Sequence, residues 1–341
     1  MKEINKKSLL SPIISIIVAF SIGGIFIFLL GKNPFQVYAS MFSGAFAGEG
    51  WGFTLFSMTS LIITGLSVAL AFHCGLFNIG ANGQLMVGGM LAAYIALSFS
   101  GLPPFLLFPI IILSALGAGA FWGFIPGILK AKRASSEVVI TIMMNYIAIC
   151  TVSYLLTYPL KASPGYIAQS EIISRSLWLP RYNGIIGADP TILLALLLAV
   201  AVYILLWRTK TGYNIRAVGF NPKASNYAGI NVSKTIILAM TLGGAIAGFA
   251  YFNYIFAYQH RIVSDVIVGA TAGFDGITVA LLGKNHPLGV ILAALLLAVL
   301  YSGGLAVQFE LGIPNSFYLF LEGIMIFSFV IFDKVVGGKN E

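Results

Sequence analysis

Apolar residues run along this chain for about 17 to 25 positions at a time, the length that crosses a hydrocarbon core of about 30 Å as a helix. Ten such runs stand out, at 12–30, 54–72, 85–99, 104–129, 138–160, 191–207, 235–256, 266–282, 288–307 and 315–332. They are continuous rather than alternating, so they predict helices and not barrel strands. The run at 85–99 is short, and the run at 266–282 holds Asp275 and three glycines. One or both have the pattern of a segment that enters a bilayer without crossing it.

Composition agrees with this reading. Of 341 residues, 59% are hydrophobic and 9% charged, with mean hydropathy +0.95, values that a water-soluble domain would not carry without aggregating. The expected fold class is an all-α integral membrane protein, a polytopic bundle of about ten transmembrane helices. Three lysines precede the first run, but it is too long for a signal-peptide core and many runs follow it. No linker or low-complexity tract divides the chain, so residues 1–341 are expected to form one membrane domain.

The basic residues orient that bundle. With the N-terminus in the cytoplasm, Lys2, Lys6, Lys7, Lys130, Lys132, Arg133, Arg208, Lys210, Arg216, Lys223, Lys234, Lys284, Lys334 and Lys339 fall inside. Lys32, Lys161, Arg175, Arg181 and Arg261 fall outside. That asymmetry places both termini in the cytoplasm and makes 161–189 the longest external loop. The net charge of +8 is then explained by anionic lipid at the cytoplasmic face, and no nucleic-acid motif is present.

Between two apolar runs, residues 208–234 read RTKTGYNIRAVGFNPKASNYAGINVSK, with five basic residues and no acidic one. Asn221 is a helix cap, Pro222 suits the first helical position, and Gly229 supplies a left-handed stop. About seven residues lie between cap and stop. A helix of roughly two turns is unstable alone in water, so this one is expected to pack against a partner at the membrane surface.

Candidate chemistry is sparse. There is no GxxxxGK[ST] loop, HExxH, CxxC or nucleophile elbow, so the chain is expected neither to hydrolyse nucleotide nor to be an enzyme, and no catalytic or metal-binding set is assigned. Cys74 and Cys150 lack metal-ligand or disulfide-framework spacing. His73 and Cys74 are neighbours, and neighbours on a helix point about 100° apart, which argues against a nucleophile pair. His260 and His286 stand at expected membrane edges, where ordinary packing is the default.

Polar residues inside the runs matter more, because each is costly there without a partner or a cavity. Residues 75–84, GLFNIGANGQ, bring Asn78, Asn82 and Gln84 together among three glycines that would break a helix. The stretch either lines a substrate path or makes a cytoplasmic turn. Asn145 is open to the same two uses, a path or a helix-to-helix hydrogen bond. Asp275 is either a helix-start carboxylate or a binding group, and Glu322 either pairs with Arg261 or meets solvent. Gly119, Gly123 and Gly127, and Gly244 and Gly248, recur at four-residue spacing suited to close helix packing or a subunit interface. Pro126 predicts a bend.

Four strings, GLFNIGANGQ, ASSEVVITIMMNYIA, RAVGFNPKASNYAGI and GFDGITVALLGKNHPLG, resemble signatures of ABC importer permeases of the branched-chain amino acid, simple-sugar and nucleoside group. The likeness is greatest to the larger permease of bacterial purine nucleoside uptake systems. Such permeases carry a glutamate in the NIGxEGQ stretch, where this chain has Asn82.

The resemblance implies that the helix between Asn221 and Gly229 is a coupling helix seated in a groove of a separate ATPase subunit, which uses the ATP. Arg216, Gly219, Asn221, Pro222, Lys223, Tyr227 and Gly229 are the matching ATPase-coupling residues. It implies two further partners, a second, non-identical permease and an extracytoplasmic solute-binding protein or lipoprotein that delivers substrate to loops such as 161–189. The cargo expected is a small neutral solute, most readily a nucleoside, crossing the bacterial plasma membrane on a path through Asn78, Asn82, Gln84 and Asn145. The alternatives are a simple sugar such as ribose or galactose, or an ion-coupled secondary transporter.

Overall fold

The computed structural model describes residues 10–133, 135–162, 167–180, 189–264 and 271–337. Lys2, Lys6, Lys7, Arg181 and Lys339, the first residues of the 266–282 run and much of the 161–189 loop lie outside them.

Among the described residues, the apolar runs fall largely on helix. The elements are α1 (Leu10–Leu29), α2 (Pro34–Phe46), α3 (Glu49–His73), α4 (Ala81–Ser98), α5 (Pro104–Arg133), α6 (Glu137–Thr157) and α7 (Thr191–Arg208). They continue with α8 (Lys210–Phe220), α9 (Pro222–Tyr227), α10 (Val232–Gly248), α11 (Ala272–Leu282), α12 (Pro287–Leu311) and α13 (Phe317–Gly337). Among the described residues, six helices are long and apolar enough to cross a bilayer: α1, α3, α5, α6, α7 and α12.

Burial separates these helices into a centre and a ring. In α3 and α12, 72% and 61% of the apolar stretch is buried inside the protein, against 22–28% in the other four. A helix apolar on all sides but buried on only part of its surface has the rest available to lipid, whereas α3 and α12 face mostly protein.

Three departures from the apolar pattern have physical causes. Helix α2 lies outside every run because its sequence mixes small and polar residues, yet Asn33 caps it by accepting from the Phe35 N–H at 3.0 Å, and Pro34 opens it. The 235–256 run does not form one rod: α10 stops at Gly248, and Tyr254–Gln259 form a π-helix that ends at His260 in the left-handed region (φ +55°). Helix α11 has eleven residues, too few to cross a bilayer.

The glycine repeats are used within the chain. Helices α5 and α10 pack through them. A Cβ on Gly123 would stand 3.0 Å from Gly244 Cα, and one on Gly119 would stand 2.7 Å from Gly248 Cα. Of the two uses open to those glycines, close packing inside the bundle is the one the structure displays. Helix α5 continues through both Pro109 and Pro126.

The two ends of the bundle differ in charge. Lys130, Lys132, Arg133, Arg208, Lys210, Arg216, Lys223, Lys234, Lys284 and Lys334 gather at the end that carries α8 and α9. An ion pair between Lys284 and Asp333, with Ser11 donating to Asp333 at 3.1 Å, ties α1 and α13 to the α11–α12 turn there. Lys32, Lys161, Arg175 and Arg261 fall at the opposite end. Here residues of the 161–189 loop lie along the segment after α10: Ser170 N donates to Ile262 O at 2.9 Å and His260 stacks on Trp178 at 3.8 Å.

Candidate functional site

The segment from Lys210 to Tyr227 carries two helices where the sequence reading expected one. Thr209 caps α8 by accepting from the Gly212 N–H at 3.1 Å, and Gly212, Ile215 and Val218 bury one face. That three-residue apolar spacing lies below the length of a membrane run, which is why hydropathy did not reveal it. Helix α9 follows the expected signals: Asn221 accepts from Ala224 N–H at 3.0 Å, Pro222 is the first residue, and Gly229 sits at φ +80°.

Helix α8 is pressed onto the end of α3. A Cβ on Gly219 would meet backbone, at 2.9 Å from the His73 carbonyl carbon and 3.1 Å from that of Cys74. Arg216 lies 5.9 Å over the Trp207 ring, which meets His73 edge-on at 5.3 Å. The other ring nitrogen contact of that cluster is His73 Nε2 with Asn285 O at 3.0 Å. His73 is thus engaged with a neighbouring turn and Cys74 is buried, so no nucleophile pair forms.

Beyond this anchor, α9 projects. Lys223, Asn226 and Tyr227 are exposed and only Ser225 is buried. Tyr227 is 94% exposed and Phe220, at the junction, 89%. Two unburied aromatic rings thus stand beside a helix of six residues, an exposed knob at the end of the bundle.

At the opposite half of the bundle lies a cavity of about 540 Å³. Phe53, Phe56, Ser57 and Ser60 enter it from α3, and Tyr254 and Tyr258 from the π-helix. The π-helix is locked to α3 by Asn253, which is buried and donates to Phe56 O at 3.0 Å while Ser60 Oγ lies 3.1 Å from its Oδ1. The rings form a continuous aromatic lining: Phe56 to Tyr258 at 5.2 Å, Phe53 to Tyr301 at 5.7 Å, Tyr301 to Tyr318 at 5.1 Å.

Two carboxylates share this cavity. Asp275, in the first turn of α11, accepts from Thr271 Oγ1 at 2.9 Å. Glu322, on α13 and only 6% exposed, accepts from Thr278 Oγ1 at 2.7 Å. Among the described residues, Asp275 is held by the Thr271 hydroxyl, and Glu322 by that of Thr278 rather than by Arg261.

The four amide residues expected on a path are all buried, and none lines this cavity. Asn78 and Gln84 exchange side-chain hydrogen bonds at 3.0 and 3.2 Å. Asn145 accepts from Gly83 N–H at 2.8 Å and donates to Ile79 O at 3.0 Å, which clips α6 to the irregular turn before α4. Asn82 stands apart: its Oδ1 has no partner among the described residues, and it lies against Gly273 at the start of α11. The tyrosines were missed by sequence reading, although Tyr251, Tyr254 and Tyr258 recur at helical spacing near the end of an apolar run.

Residues 51–330 match the protein family described as "Branched-chain amino acid transport system / permease component". The guanosine ABC transporter permease protein NupP of Bacillus subtilis is 39% identical over 90% of this chain and 89% of its own length. The nucleoside ABC transporter permease protein NupB of Lactococcus lactis is 36% identical over 94% and 90%, and the glucose ABC transporter permease protein TsgB13 of Haloferax volcanii 32% over 93% and 85%. No solved structure matches the chain. With a family match across most of its length, a bundle of apolar helices and relatives that are transport proteins rather than enzymes, this chain belongs to the branched-chain amino acid transport system permease family and is a multi-pass protein of the plasma membrane.

Proposed function

We propose that this chain is the translocating subunit of an ATP-binding cassette importer that carries a nucleoside, powered by a separate ATPase subunit that binds and hydrolyses the ATP. The observation that carries the reading is α9, a six-residue helix with Tyr227 and Phe220 bare, anchored through Gly219 to the end of a central helix. A helix this short needs a partner. Arg216, Asn221, Pro222, Lys223 and Gly229 shape or flank the same knob.

The basic end is the cytoplasmic face, with both termini there and about ten segments entering the membrane. A second, non-identical permease completes the pore, and a solute-binding protein or lipoprotein delivers cargo at the opposite end, against the 161–189 loop. The path begins in the tyrosine-lined cavity. Asn78, Gln84 and Asn145 shape its inner half by holding the irregular turn, and Asn82 belongs to the same inner half, buried against the start of α11.

The connection between the two sites is α3. It presents Ser57 to the cavity and His73 to α8, sixteen residues or about 24 Å apart at 1.5 Å per residue. ATP-driven closure of the ATPase pair pushes α9, and α3 carries that push to the cavity.

The cargo assignment draws on nucleoside permeases among the relatives and on the aromatic lining; the glucose permease relative favours a sugar as the second reading. Uptake in cells settles both questions. Guanosine accumulation that stops on ATP depletion and survives collapse of the proton and sodium gradients is expected. Dependence on either gradient would indicate a secondary transporter, and uptake of glucose or ribose without nucleoside would indicate a sugar system.

A further inference from the structure

We propose that Asp275 and Glu322 are the specificity determinants of the cavity, accepting hydrogen bonds from the N–H edge of a nucleobase whose ring stacks on the surrounding tyrosines. This rests on the reading of the cavity as the transport path.

The first ground is an electrostatic imbalance. A carboxylate in an apolar setting is costly unless cations or several donors satisfy it. Glu322 is buried on α13, yet among the described residues its side-chain partner is one hydroxyl, that of Thr278; Asp275 likewise has Thr271. Among the described residues neither forms an ion pair, since the two ion pairs found join Lys130 to Glu137 and Lys284 to Asp333. Each carboxyl group, with a single hydroxyl as its partner, retains oxygen lone pairs able to accept further hydrogen bonds. Both side chains line the cavity, and those donors can come from what enters it.

The second ground is the shape and surface of the space. Its volume of about 540 Å³ lies in the ordinary range of small-ligand pockets. Its rings come from four elements: Phe56 on α3, Tyr254 and Tyr258 on the π-helix, Tyr301 on α12 and Tyr318 on α13. Such surfaces favour a flat heteroaromatic ring over an aliphatic solute, because ring stacking adds to simple burial. A donor-bearing flat ring satisfies both features at once. A base edge with an N–H beside an exocyclic NH₂ matches carboxylate oxygens, as acidic side chains match amino edges of bases elsewhere. A base that offers a ring acceptor at that edge would face the carboxylate's lone pairs and be disfavoured.

The test uses the permease assembled with its ATPase, without the binding protein, so that discrimination is the permease's own. Tyrosine fluorescence is titrated with guanosine, 1-methylguanosine, purine riboside and ribose. Guanosine is expected to quench with at least tenfold tighter binding than 1-methylguanosine or purine riboside, both of which retain the ribose. Equal binding of all three nucleosides would overturn the proposal, as would ribose binding as well as guanosine. In Glu322→Gln and Asp275→Asn the guanosine preference over purine riboside is expected to fall at least tenfold, and an unchanged preference, or equal loss for both ligands, would also overturn it. Should the variants fail to accumulate, the wild-type titration alone decides. A Ser57→Trp variant, which fills the cavity, separates the two layers: it is expected to abolish uptake of every nucleoside, and full uptake would refute the path itself.

Discussion

Replacing Gly219 with alanine tests the mechanical link between α9 and the membrane core at a single methyl group. The added carbon would stand 2.9 and 3.1 Å from the carbonyl carbons of His73 and Cys74, closer than van der Waals contact allows. Those atoms are backbone at the end of a central helix, so they do not swing aside as a side chain would. Relief requires α8 to lift from α3 by several tenths of an ångström or more, and overpacking of this kind costs about 1–3 kcal/mol. At about 1.4 kcal/mol per factor of ten, a loss of that size in the docked geometry lowers ATPase association about five-fold to more than a hundred-fold. The apolar helices are untouched, so membrane insertion stays normal. The assay is co-purification of the ATPase subunit together with ATP-driven uptake in proteoliposomes, normalised to permease in the membrane fraction. Wild-type association and uptake in Gly219→Ala would refute the proposed transmission through this contact.

Three further outcomes are expected. Tyr227→Ala combined with Phe220→Ala should reduce ATPase association at least tenfold while leaving the detergent melting temperature unchanged, because both rings are bare; a clear drop in melting temperature with normal association would contradict this. Gly229→Ala should weaken coupling by about 1–2 kcal/mol through its left-handed backbone alone, and Gly229→Asn should restore most of it, since no neighbouring atom lies within 4 Å. Asn145→Ala should cost about 1–3 kcal/mol in stability by leaving the buried Gly83 N–H without its acceptor, read as earlier unfolding in detergent; Asn145→Asp should recover part of that loss.

How far the sequence foretold this arrangement depended on which force shaped each element. Solvent exclusion by lipid writes itself into long apolar runs, so the membrane class and the helices α1, α3, α5, α6, α7 and α12 were legible. Local backbone chemistry was legible too. Asn221, Pro222 and Gly229 announce α9 because caps and left-handed stops act within a few residues. The same asparagine–proline signal at Asn33 and Pro34 opens α2, but without an apolar run behind it the helix passed unread.

What sequence could not give was long-range pairing. Asn78, Gln84 and Asn145 carry equal numbers of donors and acceptors wherever they sit, and only the fold brings α6 beside the turn before α4 so that they satisfy backbone and one another. Asp275 and Glu322 lie far apart in the chain and meet one cavity only because α11 and α13 both border it. The break of the 235–256 run after Gly248 was equally hidden, since glycines there fit an unbroken helix as well as a packed end.

The central claim is that this chain moves solute only when another protein pushes on α9. The most direct measurement is guanosine accumulation in sealed proteoliposomes that hold either the purified chain alone or the chain with its ATPase and partner permease, each with ATP supplied. Accumulation above the external concentration is expected only in the complete assembly, and lost when α9 carries Tyr227→Ala with Phe220→Ala. Accumulation by the chain alone would contradict the account.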